Sequence, residues 1–207
     1  MRQNLLIVFT CLLLPASLFG QLFKDVPAIT RDILLDQKDS TIKTAILISA
    51  TNKQINKEKT YYWYFNDVIK QNQGGYFGDL LHGSYVVYDP NKNMMTKGEL
   101  NRGLKTGEWK YWYKNGRLKA VISWKNGERD GLAWYYDTAG NIIKRQQFRE
   151  DKLHGKVIIY NLNGENEIAY YKKGRVVDQK NQNKLMERIN AIFKKEQPED
   201  NAANEKE

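Results

Sequence analysis

Four glycines, Gly83, Gly107, Gly131 and Gly155, stand 24 residues apart, and three further columns keep their register. Five residues after each comes an aromatic: Tyr88, Trp112, Tyr136 and Tyr160. Nine residues after the last three lie Gly116, Gly140 and Gly164, preceded by Asn115, Ala139 and Asn163. Seventeen residues after the first three come Leu100, Trp124 and Phe148. Tyr171 joins that column if the last unit has lost one residue, and Gly174 then aligns with Gly103 and Gly127. Self-similarity at a fixed period marks a repeat architecture, in which one unit is too small to bury a core alone.

Each unit reads as two strands. Glu108 to Tyr113 is short and aromatic, and Asn115-Gly116 follows at once; Asn-Gly tolerates the positive φ that a tight hairpin turn needs. The return strand, Leu118 to Trp124, is apolar at every second position. Asn126-Gly127 turns the chain again. One strand about every twelve residues is the spacing of an all-β meander, and a helical repeat would need apolar periodicity of 3.6 with fewer Gly and Asn. Outgoing strands are apolar on both faces, as in Trp109 and Tyr111 beside Trp134 and Tyr136. One face therefore reads as core and the other as a half-exposed aromatic row.

The flanks read differently. Arg2, the apolar stretch Leu5 to Leu14 and the exit region Pro15 to Gly20 match a secretory signal peptide over residues 1–20, with Gln21 as the mature start. Ten apolar residues fall short of the ~20 that span a bilayer, so no transmembrane span is expected. The expected localisation is export: periplasm, cell surface or secretion. The single Cys, Cys11, lies inside that segment. A mature chain without Cys has no disulfide, thiol chemistry or thiolate metal site. Residues 21–58 hold one strand signal, Ile42 to Ser49, and read as a segment capping the first sheet edge. Residues 59–177 form the repeat domain, with Tyr61 to Phe65, Asn66-Asp67 and Gly78 as a decayed fifth unit. Within 178–207, Leu185, Ile189, Ile192 and Phe193 keep helical spacing, which predicts a short amphipathic helix against the last strand. A polar tail, expected to be disordered, follows from Gln197.

The units around Gly107 (Gly-Leu-Lys-Thr-Gly-Glu-Trp-Lys-Tyr-Trp-Tyr-Lys-Asn-Gly) and Gly131 (Gly-Glu-Arg-Asp-Gly-Leu-Ala-Trp-Tyr-Tyr) resemble MORN-variant repeats. These occur in bacterial proteins often labelled antitoxin components. The resemblance covers about residues 61–175. It implies consecutive β-hairpins in an elongated, twisted single sheet, and it brings no catalytic residues with it.

Chemistry-bearing patterns are sparse. His82 and His154 each precede a repeat glycine. Six strands separate them, roughly 29 Å at the usual strand spacing, so they share no metal and no proton relay. A metal site needs three or four convergent ligands. The carboxylate pairs Glu150-Asp151 and Glu165 with Glu167 fall in or beside turns, where acidic residues cap the chain. Phosphate-loop and nucleophile-elbow motifs are missing. No enzyme activity and no cofactor are expected.

Charge is the remaining lead. Residues 79–175 hold 18 Lys+Arg against 11 Asp+Glu, whereas 178–207 hold 6 against 7. The basic excess belongs to the sheet. Lys97, Lys119 and Arg145 read as lying on the polar side of successive return strands, near Trp112 and Tyr136. A basic-aromatic surface suits an acidic protein, an anionic lipid or an acidic glycan, and export argues against nucleic acid. The expectation is an exported non-enzymatic scaffold for protein or envelope interactions. A toxin-neutralising protein and a lipid- or glycan-binding module stand as alternatives.

Overall fold

The computed structural model describes residues 28–48, 55–161 and 164–177. The signal segment and the C-terminal helix and tail expected from sequence lie outside these residues. Among the described residues the fold is all-β, an open antiparallel meander without a helix.

The strands are β1 (Thr30–Gln37), β2 (Ser40–Leu47), β3 (Thr60–Phe65), β4 (Val68–Gln73), β5 (Asp79–Tyr88), β6 (Met94–Asn101) and β7 (Leu104–Trp112). They continue as β8 (Leu118–Lys125), β9 (Glu128–Tyr136), β10 (Ile142–Arg149), β11 (Lys152–Leu153), β12 (Gly155–Ile159), β13 (Glu167–Lys172) and β14 (Arg175–Val176). The sheet runs β1-β2-β5-β6-β7-β8-β9-β10-β12-β13-β14, with β11 paired to the end of β10.

Of the segment before the repeat region, the structure describes residues 28–48 and 55–58. A hairpin, β1–β2, adds two strands to the sheet, and β2 pairs along β5. The aromatic run Tyr61 to Phe65 departs from expectation. Instead of taking a place in the meander, β3 pairs with β4 and with only Leu80 and Asp79 of β5. A ten-residue β5 can hold both partners, β3 at its start and β2 beyond. The β3–β4 hairpin then lies against the main sheet. Tyr62 packs on Tyr85 and Trp109, and its N–H donates to the Gly103 carbonyl at 2.8 Å. Alternating β3 residues bury toward two clusters: Tyr62 and Tyr64 join Ile46, Leu81, Leu100 and Trp109, while Tyr61 and Trp63 join Leu80. Two-sided burial explains why this segment is aromatic at five consecutive positions.

Two kinds of turn alternate along the meander. In Asn126-Gly127 both residues have positive φ, 51° and 84°, as a two-residue type I′ hairpin requires. Arg102-Gly103, Glu150-Asp151 and Lys173-Gly174 do the same. The second residue of each donates its N–H to the strand before the hairpin: Gly103 to Leu81, Gly127 to Lys105, Asp151 to Arg129 and Gly174 to Leu153. At the other end of the strands the loop is longer. Tyr113 N–H donates to Arg117 O and Gly116 N–H to Tyr113 O, with Gly116 at φ 79° and Asn115 outside the left-handed region. This is a three-residue loop closed by a left-handed glycine, so the expected positive φ holds at Gly116 and not at Asn115. Asn115 works through its side chain, accepting from Arg117 N–H and donating to Thr138 O of the next loop. Gly140, Gly164 and Lys92 take the place of Gly116 in the other loops, all at positive φ. The column glycines Gly83, Gly107, Gly131 and Gly155 also have positive φ, and the pairing register shifts beside Gly83, Gly107 and Gly131.

Candidate functional site

The sheet presents two unlike faces, named here for Trp109 and Trp134. Side chains alternate between the faces of each strand, so paired positions form rows that run across strands. On the Trp134 face one row links Lys97 to Lys110, Val121, Trp134, Arg145, Ile158 and Ile168 through their register partners. No strand lies over this face among the described residues.

Of the residues singled out by sequence, Lys97 and Trp112 come together, lining a shallow groove of about 620 Å3 with Ser84, Glu99, Glu108 and Lys110. Lys110 meets Glu108 at 3.7 Å, a solvent-exposed pair. Arg145 sits over the ring of Trp134 at 5.4 Å, not over Tyr136. Tyr136 ends β9, where its carbonyl accepts the Tyr113 hydroxyl at 2.8 Å. Lys119 departs from the expected line. Tyr111 pairs Ala120 and Trp112 pairs Leu118, so Lys119 is the extra residue of a β-bulge, and Val121 holds the place in the row. Met95 and Ile143 are skipped in the same way on β6 and β10. The Lys119 ammonium lies 5.7 Å from the Tyr113 ring.

Of the two histidines, His82 serves the backbone through its side chain, whereas His154 donates its backbone N–H to Gln147 O. His82 Nδ1 accepts the Arg102 N–H at 3.2 Å, and burial together with Arg102 lowers its pKa. Asp151 binds Arg129 through its N–H and Nε at 3.0 and 2.8 Å, and Asn161 donates to Glu165 O and to Glu167. No cluster of three or more His, Cys, Asp or Glu side chains suits a metal among the described residues. Among them, too, no helix is long and apolar enough to cross a membrane.

The Trp109 face holds a constellation that sequence reading missed. Lys105 follows the Arg102-Gly103 turn, in a stretch that reads as a polar connection. Its ammonium lies 4.2 Å from the Trp109 ring, 4.8 Å from Trp124, 5.3 Å from Tyr62 and 5.9 Å from Tyr111. It donates to the Tyr111 hydroxyl at 3.3 Å. Burial pulls the Lys105 pKa down to about 8 and pushes Tyr62 up to about 12; Tyr111 rises too, through burial and the neighbouring Tyr62. The four rings come from three strands, β3, β7 and β8, so only their aromatic character was visible in sequence. Beside the cage opens a pocket of about 730 Å3.

No family model matches the chain, and no curated protein matches it.

Proposed function

We propose that this chain is an exported, non-enzymatic scaffold of 24-residue β-hairpin units, related to MORN-variant repeats, that binds an acidic protein partner through its Trp134 face. The observation that carries the reading is the row from Lys97 to Ile168, in which cations and large apolar side chains share one face with no strand over it among the described residues. Basic and aromatic groups so mixed supply both attraction at a distance and apolar contact. The unit is supported by the positive φ of the four column glycines and by the turn amides that each bond to the preceding strand. Export rests on the charged and apolar pattern of residues 1–20.

The test is affinity capture of the mature chain from the bacterial envelope, with partners identified by mass spectrometry. The expected exported form begins at Gln21 by intact mass; retention of Arg2 overturns export. A genuine partner of this face loses affinity in Lys97→Glu/Arg145→Glu, chiefly at low salt, because 0.15 M salt screens exposed charges beyond about 8 Å. Trp112→Ala, at the groove beside Lys97, weakens binding at every salt concentration, since apolar contact is not screened. Affinity indifferent to both changes in folded protein places the partner elsewhere.

A further inference from the structure

Buried donors near the Trp109 face are mostly matched. The Trp109 indole N–H donates to Glu99 O at 3.1 Å, and the Trp63 indole to Asn72 Oδ1 at 3.0 Å. Lys59 meets Asn126 O and Glu128. Among the described residues, the buried Thr44 Oγ1, the Gln146 amide and the Trp124 indole N–H have no partner, and the Lys105 ammonium has one hydroxyl oxygen and no carboxylate. An unpaired donor or charge taken out of water is costly, and the cost falls when an acceptor arrives.

Lys105 and Trp124 line the same pocket, with Tyr62, Ile122, Arg129 and Asp151. Its volume of about 730 Å3 suits a small molecule. The Lys105 ammonium lies 4.8 Å from the centre of the Trp124 ring, so the two donors belong to adjoining side chains of one lining. Charge sets the valence of the ligand. Arg129 is already held by Asp151 at 2.8 Å, so among the described residues Lys105 is the lining cation without a carboxylate, and Asp151 repels a second negative charge. Tyr62, Ile122 and Trp124 make part of the lining apolar, which suits an organic ring body better than a bare ion.

From this geometry we infer that the Lys105 pocket binds a small monoanion, a carboxylate carried on a six-membered ring. The site lies on the face opposite the Lys97–Arg145 row, so its success or failure is independent of the partner proposed there. A ring carboxylate can come from an acidic sugar or from an aromatic acid. Titration calorimetry of the full chain with D-glucuronate and with benzoate separates the two, and inorganic phosphate is the control for charge alone.

At pH 7 the wild-type chain is expected to bind at least one ring carboxylate saturably, and phosphate more weakly. Lys105→Met, which keeps the apolar stem, should weaken binding by about tenfold or more, as loss of a charge-assisted hydrogen bond does. Trp124→Phe, which keeps a ring but removes the N–H, should weaken it several-fold. Lys38→Met, in the exposed turn between β1 and β2, should leave it unchanged. Between pH 7 and 9 the wild type should lose affinity as Lys105 gives up its proton, while Lys105→Arg binds evenly across that range. That pH contrast decides the matter if Lys105→Met fails to fold by circular dichroism. The inference is overturned if neither ring carboxylate binds saturably, if phosphate binds more tightly than both, or if affinity ignores Lys105 and pH.

Discussion

Two glycines show opposite reasons for the absence of a side chain. Gly116 has φ 79° and open space where a Cβ would stand, so any substitution there is strained by conformation alone. Gly98 has an ordinary backbone, but a Cβ would lie 2.3 Å from the Trp109 ring, which packs flat against it. Gly116→Val should therefore destabilise by about 1–2 kcal/mol, the left-handed penalty, with Lys114→Val much closer to neutral. Gly98→Ala should cost about 1–3 kcal/mol by overpacking. Urea unfolding distinguishes the mechanisms. Trp109→Phe should couple to Gly98→Ala by more than about 0.5 kcal/mol and to Gly116→Val not at all. Lys105 offers a second test, in pH. Its folded pKa, about 8, lies below the ordinary lysine value of 10.5, so the unfolded chain binds more protons between the two. Stability should thus rise from pH 8 toward 10, by at most about 3 kcal/mol, and that rise should vanish in Lys105→Met. Above pH 10 the trend reverses. The unfolded chain ionises tyrosines that burial keeps protonated, Tyr62 up to about 12.

At the scale of turns and strands, Asp151 is informative because it occupies the slot held by Gly103, Gly127 and Gly174 in the two-residue turns after β6, β8 and β13. It adopts φ 61°, unfavourable for a residue with a Cβ, and spends its carboxylate on the Arg129 N–H and Nε. Asp151→Gly relieves the backbone and loses the two bonds, so thermal unfolding should shift little. Asp151→Ala keeps the strain without the bonds and should cost about 1–2 kcal/mol; equal effects of the two changes would mean that the carboxylate is incidental. Such turns were the legible part of the sequence, since left-handed residues leave Gly and Asn at fixed intervals. Loop type was less legible. Asn115-Gly116 and Asn126-Gly127 are the same dipeptide, yet only the second is a two-residue turn, because the pairing of the flanking strands decides how many residues the loop holds. The Lys119 bulge was hidden for a related reason: counting every second residue assumes an unbroken register. Nor could Tyr61 to Phe65 reveal that it folds over the sheet, since an aromatic strand buried on both faces reads alike inside a meander and across one. The Lys105 cage depends on that fold-over, through Tyr62.

Across the whole molecule, burial is uneven along the row of strands. Around β5–β7 the β3–β4 hairpin adds a second layer, and Ile46, Leu81, Leu100 and Trp109 form a core with Tyr62, Tyr64, Tyr85, Tyr111 and Trp124 packed on it. At the other end the cluster is smaller: Val157, Ala169 and Tyr171, joined by Leu153 and Val176, with Ile168, Tyr170 and Val177 exposed nearby. In an open meander each hairpin touches mainly its neighbours, so stability behaves as a sum of local terms rather than one global number. Native-state hydrogen exchange should then be slowest for β5–β7 amides and fastest for β12–β14. Leu100→Ala, which removes a fully buried side chain at a cost of about 2–5 kcal/mol, adds a sharper test. If stability is local, exchange accelerates in β5–β7 and the β3–β4 hairpin while β12–β14 change little, because β8, β9 and β10 lie between and β12–β14 pack on a cluster of their own. Equal acceleration in every strand would show a single cooperative unit. In that case the amides of Gly103, Gly127, Asp151 and Gly174, each bonded to the strand before its hairpin, would be the natural carriers of the coupling.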